Sequence, residues 1–411
     1  MASTVTIALF TYNCGKVLHP VESLRRPLDR AIGPAAAVAG ADGRAGAVGP
    51  APDVVVLSLQ EIAPVQTCFF GSVGPFIEPF VQALDALGYV AAGREVLGST
   101  ACVVFLAARA RYVATDVRRS SFAFGPMATS LKGAAGVRLT LTPVGATDGA
   151  AGADFTFVAA HFAANEGMRG ARDLNFSDMA ANLFAEPGHG AAGLYAAHTH
   201  LFVLGDLNYR VDFAEKRALA WSADAHKDFF ACDELTDSLA SEKAFYGLAE
   251  PPVLFPPTYK FSEHAPAAAP APGLAPTRPY SSKRTPSWCD RILHLRYGPG
   301  TGVRVHAYTS VPELTESDHI PVVQSVTVPL KAPQDVVHDA VAALRAHPGY
   351  GGRRWRAGHF EHALGYALYL GDPAVMAVFV VLLAATVYAL LRTAPASAPA
   401  LVPGAPAVRV V

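Results

Sequence analysis

Short apolar runs rich in β-branched residues recur along most of the chain. They are Val5–Phe10, Val54–Leu59, Ala101–Leu106, Gly136–Leu141, Phe155–Ala160, Leu201–Leu204, Ile292–Leu295, Val303–Tyr308 and Val322–Val328. Runs of this length and composition predict strands. Apolar positions at helical spacing over Phe76–Leu87 and Phe176–Phe184 predict helices among them. Many strands with interspersed helices predict an α/β or α+β sandwich of packed sheets, and no internal repeat is visible. Two stretches interrupt the pattern. Ala31–Pro52 and His264–Pro279 are mostly Ala, Gly and Pro without periodicity, so both predict loop insertions.

The pattern changes after about residue 330. Lys331–Leu364 is weakly patterned, with helical spacing at Asp335–Ala346. Ala374–Leu391 then carries no charge, Asn, Gln, Gly or Pro. As a helix it spans roughly 27 Å, close to the hydrocarbon thickness of a bilayer. A core helix normally keeps one polar face, and this segment has none. Tyr366 and Tyr369 precede it and Arg392 follows it. With few residues beyond, it predicts a transmembrane tail anchor. The N-terminal run lacks a basic leader and predicts a first strand, not a signal peptide. The expected organisation is therefore a catalytic domain over 1–330, a linker with a short helix over 331–373, a membrane segment over 374–391 and a short lumenal tail over 392–411. This leaves the catalytic part in the cytosol.

Composition narrows the class. Lys and Arg number 33 against 34 Asp and Glu, a net charge of −1, which argues against a nucleic-acid partner. The five Cys are odd in number and include no C-x-x-C pair, so neither a disulfide scaffold nor a zinc ribbon is expected, and a reducing compartment fits.

The informative polar residues stand where apolar runs stop. Val5–Phe10 leads to Asn13, Val54–Leu59 to Gln60-Glu61, Phe155–Ala160 to His161, and Leu201–Leu204 to Asp206 and Asn208. Asp318-His319 precedes the last strand. Singly, each reads as a turn, a loop start or a core histidine. Together they predict one pocket at converging strand ends. Oxygen ligands from Asn13, Glu61 and one or two Asp residues suit a hard ion such as Mg²⁺. H-E-x-x-H and P-loop motifs are both missing from the sequence, which disfavours zinc hydrolysis and P-loop chemistry. Two His and two Asp beside Mg²⁺ suit phosphoester hydrolysis. Asp206 is the expected general base, Asn208 helps place the water or phosphate, and Asp318 beside His319 is an acid–imidazole arrangement. Whether Asp318 orients His319 or bonds another His stays open at this level.

Residues 5–328 resemble the inositol polyphosphate 5-phosphatases, a branch of the Mg²⁺-dependent endonuclease/exonuclease/phosphatase superfamily. The matching segments are Thr11–Lys16, Leu59–Ile62, Leu131–Leu139, His161–Phe176, Gly205–Phe213, Pro256–Phe261, Arg284–Leu293 and Glu316–Val322. The G-D-L-N-Y-R and R-T-P-S-W-C-D-R-I-L stretches carry the specificity of that resemblance. It implies an α+β fold, a four-layer α/β/β/α sandwich of two packed mixed sheets. It also implies Asn13, Glu61 and Asp318 at the metal, and His161 and His319 flanking the scissile phosphate. Asp206 and Asn208 would handle the water, and Asp290 would support the site. Tyr259, Lys260 and Arg284 would read the 4-phosphate, and Lys132 and Arg172 would approach the inositol phosphates. Three positions depart from the family pattern: Ile320 where a basic residue is usual, Arg172–Phe176 with Asn and Asp exchanged, and Ser282 in place of a Lys. They bear on phosphate preference, not on the metal or water residues. With its apolar tail the chain is similar to small fungal members anchored at the endoplasmic reticulum. The implied substrate is phosphatidylinositol 4,5-bisphosphate. The alternatives are soluble inositol polyphosphates, or sphingomyelin or nucleic acid as in superfamily relatives.

Overall fold

The computed structural model describes residues 4–331, apart from 34–49, 70–71, 110, 125–128, 147–151, 186–192, 196–198, 214–223, 263–277 and 299–300. The chain divides into two compact units, Met1–Glu361 and His362–Val411. The expected linker, membrane segment and tail lie outside the described residues, as do most of both insertions. Among the described residues no helix is long and apolar enough to cross a membrane.

Twelve strands are described: β1 (Thr4–Asn13), β2 (Val54–Gln60), β3 (Tyr89–Leu97), β4 (Thr100–Ala107), β5 (Tyr112–Ala123), β6 (Gly133–Pro143), β7 (Ala153–His161), β8 (Thr199–Asp206), β9 (Leu248–Ala249), β10 (Asp290–Leu295), β11 (Arg304–Ser310) and β12 (Val322–Pro329). The helices are α1 (Val21–Ile32), α2 (Val65–Phe69), α3 (Gly74–Ala86), α4 (Arg169–Asn182), α5 (His226–Phe230) and α6 (Glu234–Ala240). One sheet runs β11-β12-β1-β2-β4-β3 and the other β5-β6-β7-β8-β10-β9. Each is mixed, with one parallel pair: β1 with β2, and β7 with β8.

Side-chain parity explains the packing. Val5, Ile7 and Leu9 of β1, with Val54 and Val56 of β2, share a core with Val137, Leu139, Phe155, Phe157 and Phe202 of the second sheet. The alternate residues Phe10, Val55, Leu57 and Phe105 pack beneath Leu24 and Leu28 of α1 and Ile77 and Phe80 of α3. On the other side Val158, Ala160 and Val203 pack beneath Phe176 and Met179 of α4 and Leu235 of α6. The central strands are thus buried on both faces, which is why they read as continuous apolar runs. Each fully buried Val, Leu or Phe contributes roughly 1.5–3 kcal/mol of transfer free energy.

The elements that the periodicity did not predict lie mainly at the margins. β3 and β5 end their sheets, and most of β5 is exposed, so its sequence YVATDVRRSSFA is largely polar. α1 buries Leu24, Leu28 and Ile32 while its many charged residues mask the apolar stripe. The first insertion therefore begins later than Ala31, because Ala31 and Ile32 close α1. The second ends before Arg278: Ser262 N donates to Pro279 O at 3.0 Å, and Tyr280 stacks on Phe261 at 4.6 Å.

Candidate active site

Strand register builds the site. In the first sheet Asn13 pairs with Gln60, so Glu61 follows at the same rim. In the second, Gly133, His161, Asp206 and Asp290 form one row across β6, β7, β8 and β10, with Lys132 one residue before it. The two rims are joined through the sandwich. Ser58 Oγ donates to Leu204 O at 2.9 Å, and Gln60 Nε2 donates to Ser58 Oγ at 2.6 Å. Gly205 is required by close approach: a Cβ there would stand 1.9 Å from Ala160 O on β7. Glu61 and Asn208 hold φ of +45° and +57°, a region that non-glycine residues seldom occupy and that recurs at functional positions.

Asp206 is the centre. Its Oδ2 accepts from Asn13 Nδ2 at 2.9 Å and its Oδ1 from the Asn208 backbone N–H at 3.1 Å. His161 Nε2 lies 3.2 Å from Oδ2, and His319 Nε2 lies 3.9 Å from it. Glu61 Oε1 is 4.0 Å from His161 Nε2, and its Oε2 pairs with Lys16 Nζ at 3.0 Å. Lys132 Nζ contacts His161 Nε2 directly.

His319 is oriented from below. Its Nδ1 meets Asp290 Oδ2 at 2.9 Å, and Thr258 Oγ1 donates to that same oxygen at 2.7 Å. The open question about Asp318 is thereby answered. Asp290 orients His319, whereas the Asp318 carboxylate pairs with Lys260 at 2.6 Å. The Tyr259 ring packs against His319 at 4.5 Å.

Charge states follow from these surroundings. Burial pushes the Asp206 carboxyl up, but His319, His161 and Lys132 outweigh it and hold Asp206 well below the usual carboxylate range. Burial likewise opposes ionisation of Glu61, and His161, Lys132 and Lys16 reverse it. Burial would lower His319, yet Asp290 and then Asp206 raise it to about 9, so it is an imidazolium at neutral pH. Burial, and then Lys132, push His161 below the ordinary imidazole value, against the pull of Asp206 and Glu61. The buried Lys132 ammonium is lowered by desolvation against the pull of Asp206 and Glu61.

The donor set fits a hard divalent cation. Asn13 offers an amide oxygen, Glu61 and Asp206 are ionised carboxylates at one rim, and the nearby Cys14 thiol is pushed up by burial. Asp206, Asp290 and His319 also bring ligand-type atoms within 4.8 Å of one another, although the His319–Asp290 hydrogen bond already occupies part of that set.

Residues 10–325 match the family described as Endonuclease/Exonuclease/phosphatase family 2. The chain belongs to this family. Among curated proteins it resembles phosphatidylinositol 3,4,5-trisphosphate 5-phosphatase 2 of Sus scrofa, at 30% identity over 173 residues. That stretch is 42% of this chain and 14% of the relative, so the chain spans only a small part of that protein's length. Among solved structures, the inositol polyphosphate 5-phosphatase domain of SPsynaptojanin superposes with a TM-score of 0.59 at 20% identity, covering 83% of this chain and 89% of that one. Cimex nitrophorin superposes at 0.54 and 19% identity, covering 80% of this chain and 100% of that one. A nitric oxide complex on a similar fold shows that the sandwich alone does not decide the chemistry.

Not every expected site residue reaches the cluster. Arg172 is fully buried. It donates to Glu234 Oε2 at 2.5 Å and to Asn165 O at 2.8 Å, tying α4 to the loop after β7. That places it as a support of the His161 loop, because its guanidinium is occupied inside the fold. Arg284 is exposed on the segment leading to Trp288. Other residues at the site had no assigned role. Lys16 and Arg210 sit inside the T-Y-N-C-G-K and G-D-L-N-Y-R motifs, and that context is the signal that could have flagged them. Arg210 Nη2 donates to Asn208 Oδ1, and its guanidinium lies 4.5 Å over Tyr259. Arg278 holds Thr315 O at 2.7 Å and Ser317 O at 2.8 Å, clamping the turn that carries Asp318-His319. It lies at the end of an Ala/Pro stretch, where no pattern announces it.

Proposed function

We propose that this chain is a Mg²⁺-dependent phosphoinositide 5-phosphatase that converts phosphatidylinositol 4,5-bisphosphate to phosphatidylinositol 4-phosphate. The observation that carries the reading is the single Asp206 carboxylate bracketed by Asn13, His161 and a charged His319, with Lys132 against His161 and Lys260 paired with Asp318. The names of the curated relatives support the inositide substrate class.

Asp206, fixed by Asn13 and Asn208, accepts a proton of the attacking water and aims it at phosphorus. His319 places positive charge where the phosphoryl oxygens gain negative charge, and Asp290 keeps the ring turned toward them. Lys132 and His161 contact the same oxygens from the other side. A divalent cation held by Asn13 and Glu61 would supply Lewis-acid charge stabilisation. Tyr259 and Lys260 would supply donors to the remaining headgroup phosphates, with Asp318 holding the Lys260 ammonium in place and the exposed Arg284 as a further cation.

The apolar segment Ala374–Leu391 would hold the enzyme on the cytosolic face of a membrane, in the endoplasmic reticulum by the fungal resemblance. Anchoring raises the local concentration of a lipid substrate without any new contact. A phosphate-release panel over all inositides, with and without Mg²⁺, tests the reading. Release from the 5-position of the bisphosphate lipid is expected, and no Mg²⁺-dependent release from any inositide would remove it. Faster turnover of free inositol trisphosphate than of the lipid in vesicles would move the assignment to soluble substrates.

A further inference from the structure

The turn that delivers His319, residues 315–318, lies outside every strand and helix. Its carbonyls must find donors elsewhere, because a buried one left unpaired is costly. Arg278 supplies them. Its Nη1 donates to Thr315 O at 2.7 Å and its Nη2 to Ser317 O at 2.8 Å. Arg278 is buried, and its guanidinium lies 4.8 Å over the Phe261 ring. Phe261 is itself tied to the turn, its N–H donating to Asp318 O at 3.0 Å. Tyr280 stacks on Phe261 at 4.6 Å and donates its hydroxyl to Pro257 O at 2.7 Å. Residues 278–280 thus strap the Lys260 segment to the turn. Within the turn, His319 N–H donates to Ser317 Oγ at 3.1 Å. Holding Ser317 therefore holds the His319 backbone, whereas Asp290 holds the ring.

We propose that Arg278 is a positioning residue for His319. It acts through the backbone of the turn, fixing the point from which the imidazole reaches Asp206 and the scissile phosphate. The role rests on the 5-phosphatase reading and deepens it. A forked guanidinium suits the task, because it bonds two carbonyls two residues apart at once, and a single ammonium does not reproduce that geometry. His319 Nε2 stands 3.9 Å from Asp206 Oδ2. A displacement of about 1 Å in the turn is enough to spoil such an approach and costs on the order of 100-fold in rate.

The test uses the full chain with Mg²⁺ and vesicles of phosphatidylcholine carrying phosphatidylinositol 4,5-bisphosphate. The variants are Arg278→Ala and Arg278→Lys, and rates are referred to the folded fraction measured by circular dichroism. Arg278→Ala should lower kcat by about 10–100-fold and leave KM within about threefold. The Lys260 segment keeps its other ties, Ser281 N–H to Lys260 O at 2.8 Å and Tyr280 to Pro257, so headgroup binding survives. Methylguanidinium in the medium should restore much of the lost rate in Arg278→Ala and change nothing in the wild type. Arg278→Lys keeps the charge and most of the packing, so it carries the test where the Ala variant does not fold, and its kcat should fall at nearly constant KM. A purely structural Arg278 would give fewer folded molecules at unchanged kcat. Wild-type kcat per folded molecule in either variant overturns the role and leaves the 5-phosphatase reading intact, as does a rate in folded Arg278→Ala that methylguanidinium fails to raise. No phosphate release from any inositide by the wild-type protein overturns both.

Discussion

Around Asp206, two carboxylate oxygens meet an amide, a backbone N–H and two imidazoles, and each donor comes from a different strand end or loop. Removing the carboxylate or the charged ring should therefore cost far more in turnover than in stability. Asp206→Ala and His319→Ala are each expected to lower kcat by on the order of 10²–10⁴, read by phosphate release. Near-normal rates in both would remove the assigned roles. His319 also sets a pH dependence. Its value is raised from 6.5 to about 9, so the imidazolium persists through neutral pH and is lost as pH rises through about 9. The alkaline limb of the rate should fall there. In Asp290→Asn the largest source of that rise is gone, so the limb should move to lower pH, and a limb that stays in place would show that a different group titrates. The stabilising contribution of the His319 charge has the same sign: complete below about pH 6.5 and lost as pH rises through about 9.

Strand pairing turns separate motifs into one site. The row Gly133–His161–Asp206–Asp290 needs β7 and β8 in parallel contact and β10 antiparallel to β8. Gly205, one residue before that row and paired with Ala160, is a point of close approach, because a methyl group there meets Ala160 O at 1.9 Å. Gly205→Ala should destabilise the fold by about 3 kcal/mol or more through forced strand separation, measured by urea unfolding. It should also lower kcat, since Asp206 is the next residue. A variant of wild-type stability would show that the strands can part without cost. The edge strands β3 and β5 lie outside this row, which is consistent with their mixed, exposed sequences.

Across the whole domain, three apolar cores hold the two sheets and their helices, and the cation-type residues sit at one rim of the sandwich. Chelating divalent cations should abolish phosphate release while leaving the thermal midpoint within a few degrees, followed by circular dichroism with and without EDTA. A collapse of the fold in EDTA would mean that the cation is structural. The division between what was legible and what was not follows the same line. The central strands, the strand-end residues Asn13, Glu61, His161 and Asp206, and the motif around Asp290 could be read along the chain, because burial on both faces and abrupt polar stops are local signals. The pairing of His319 with Asp290 and not its neighbour Asp318, the internal engagement of Arg172, and the arrival of Lys16, Arg210 and Arg278 at the site could not. Those depend on which distant backbones lie within hydrogen-bond reach. Only the register of the two sheets and the turns between them brings such residues to the same few ångströms.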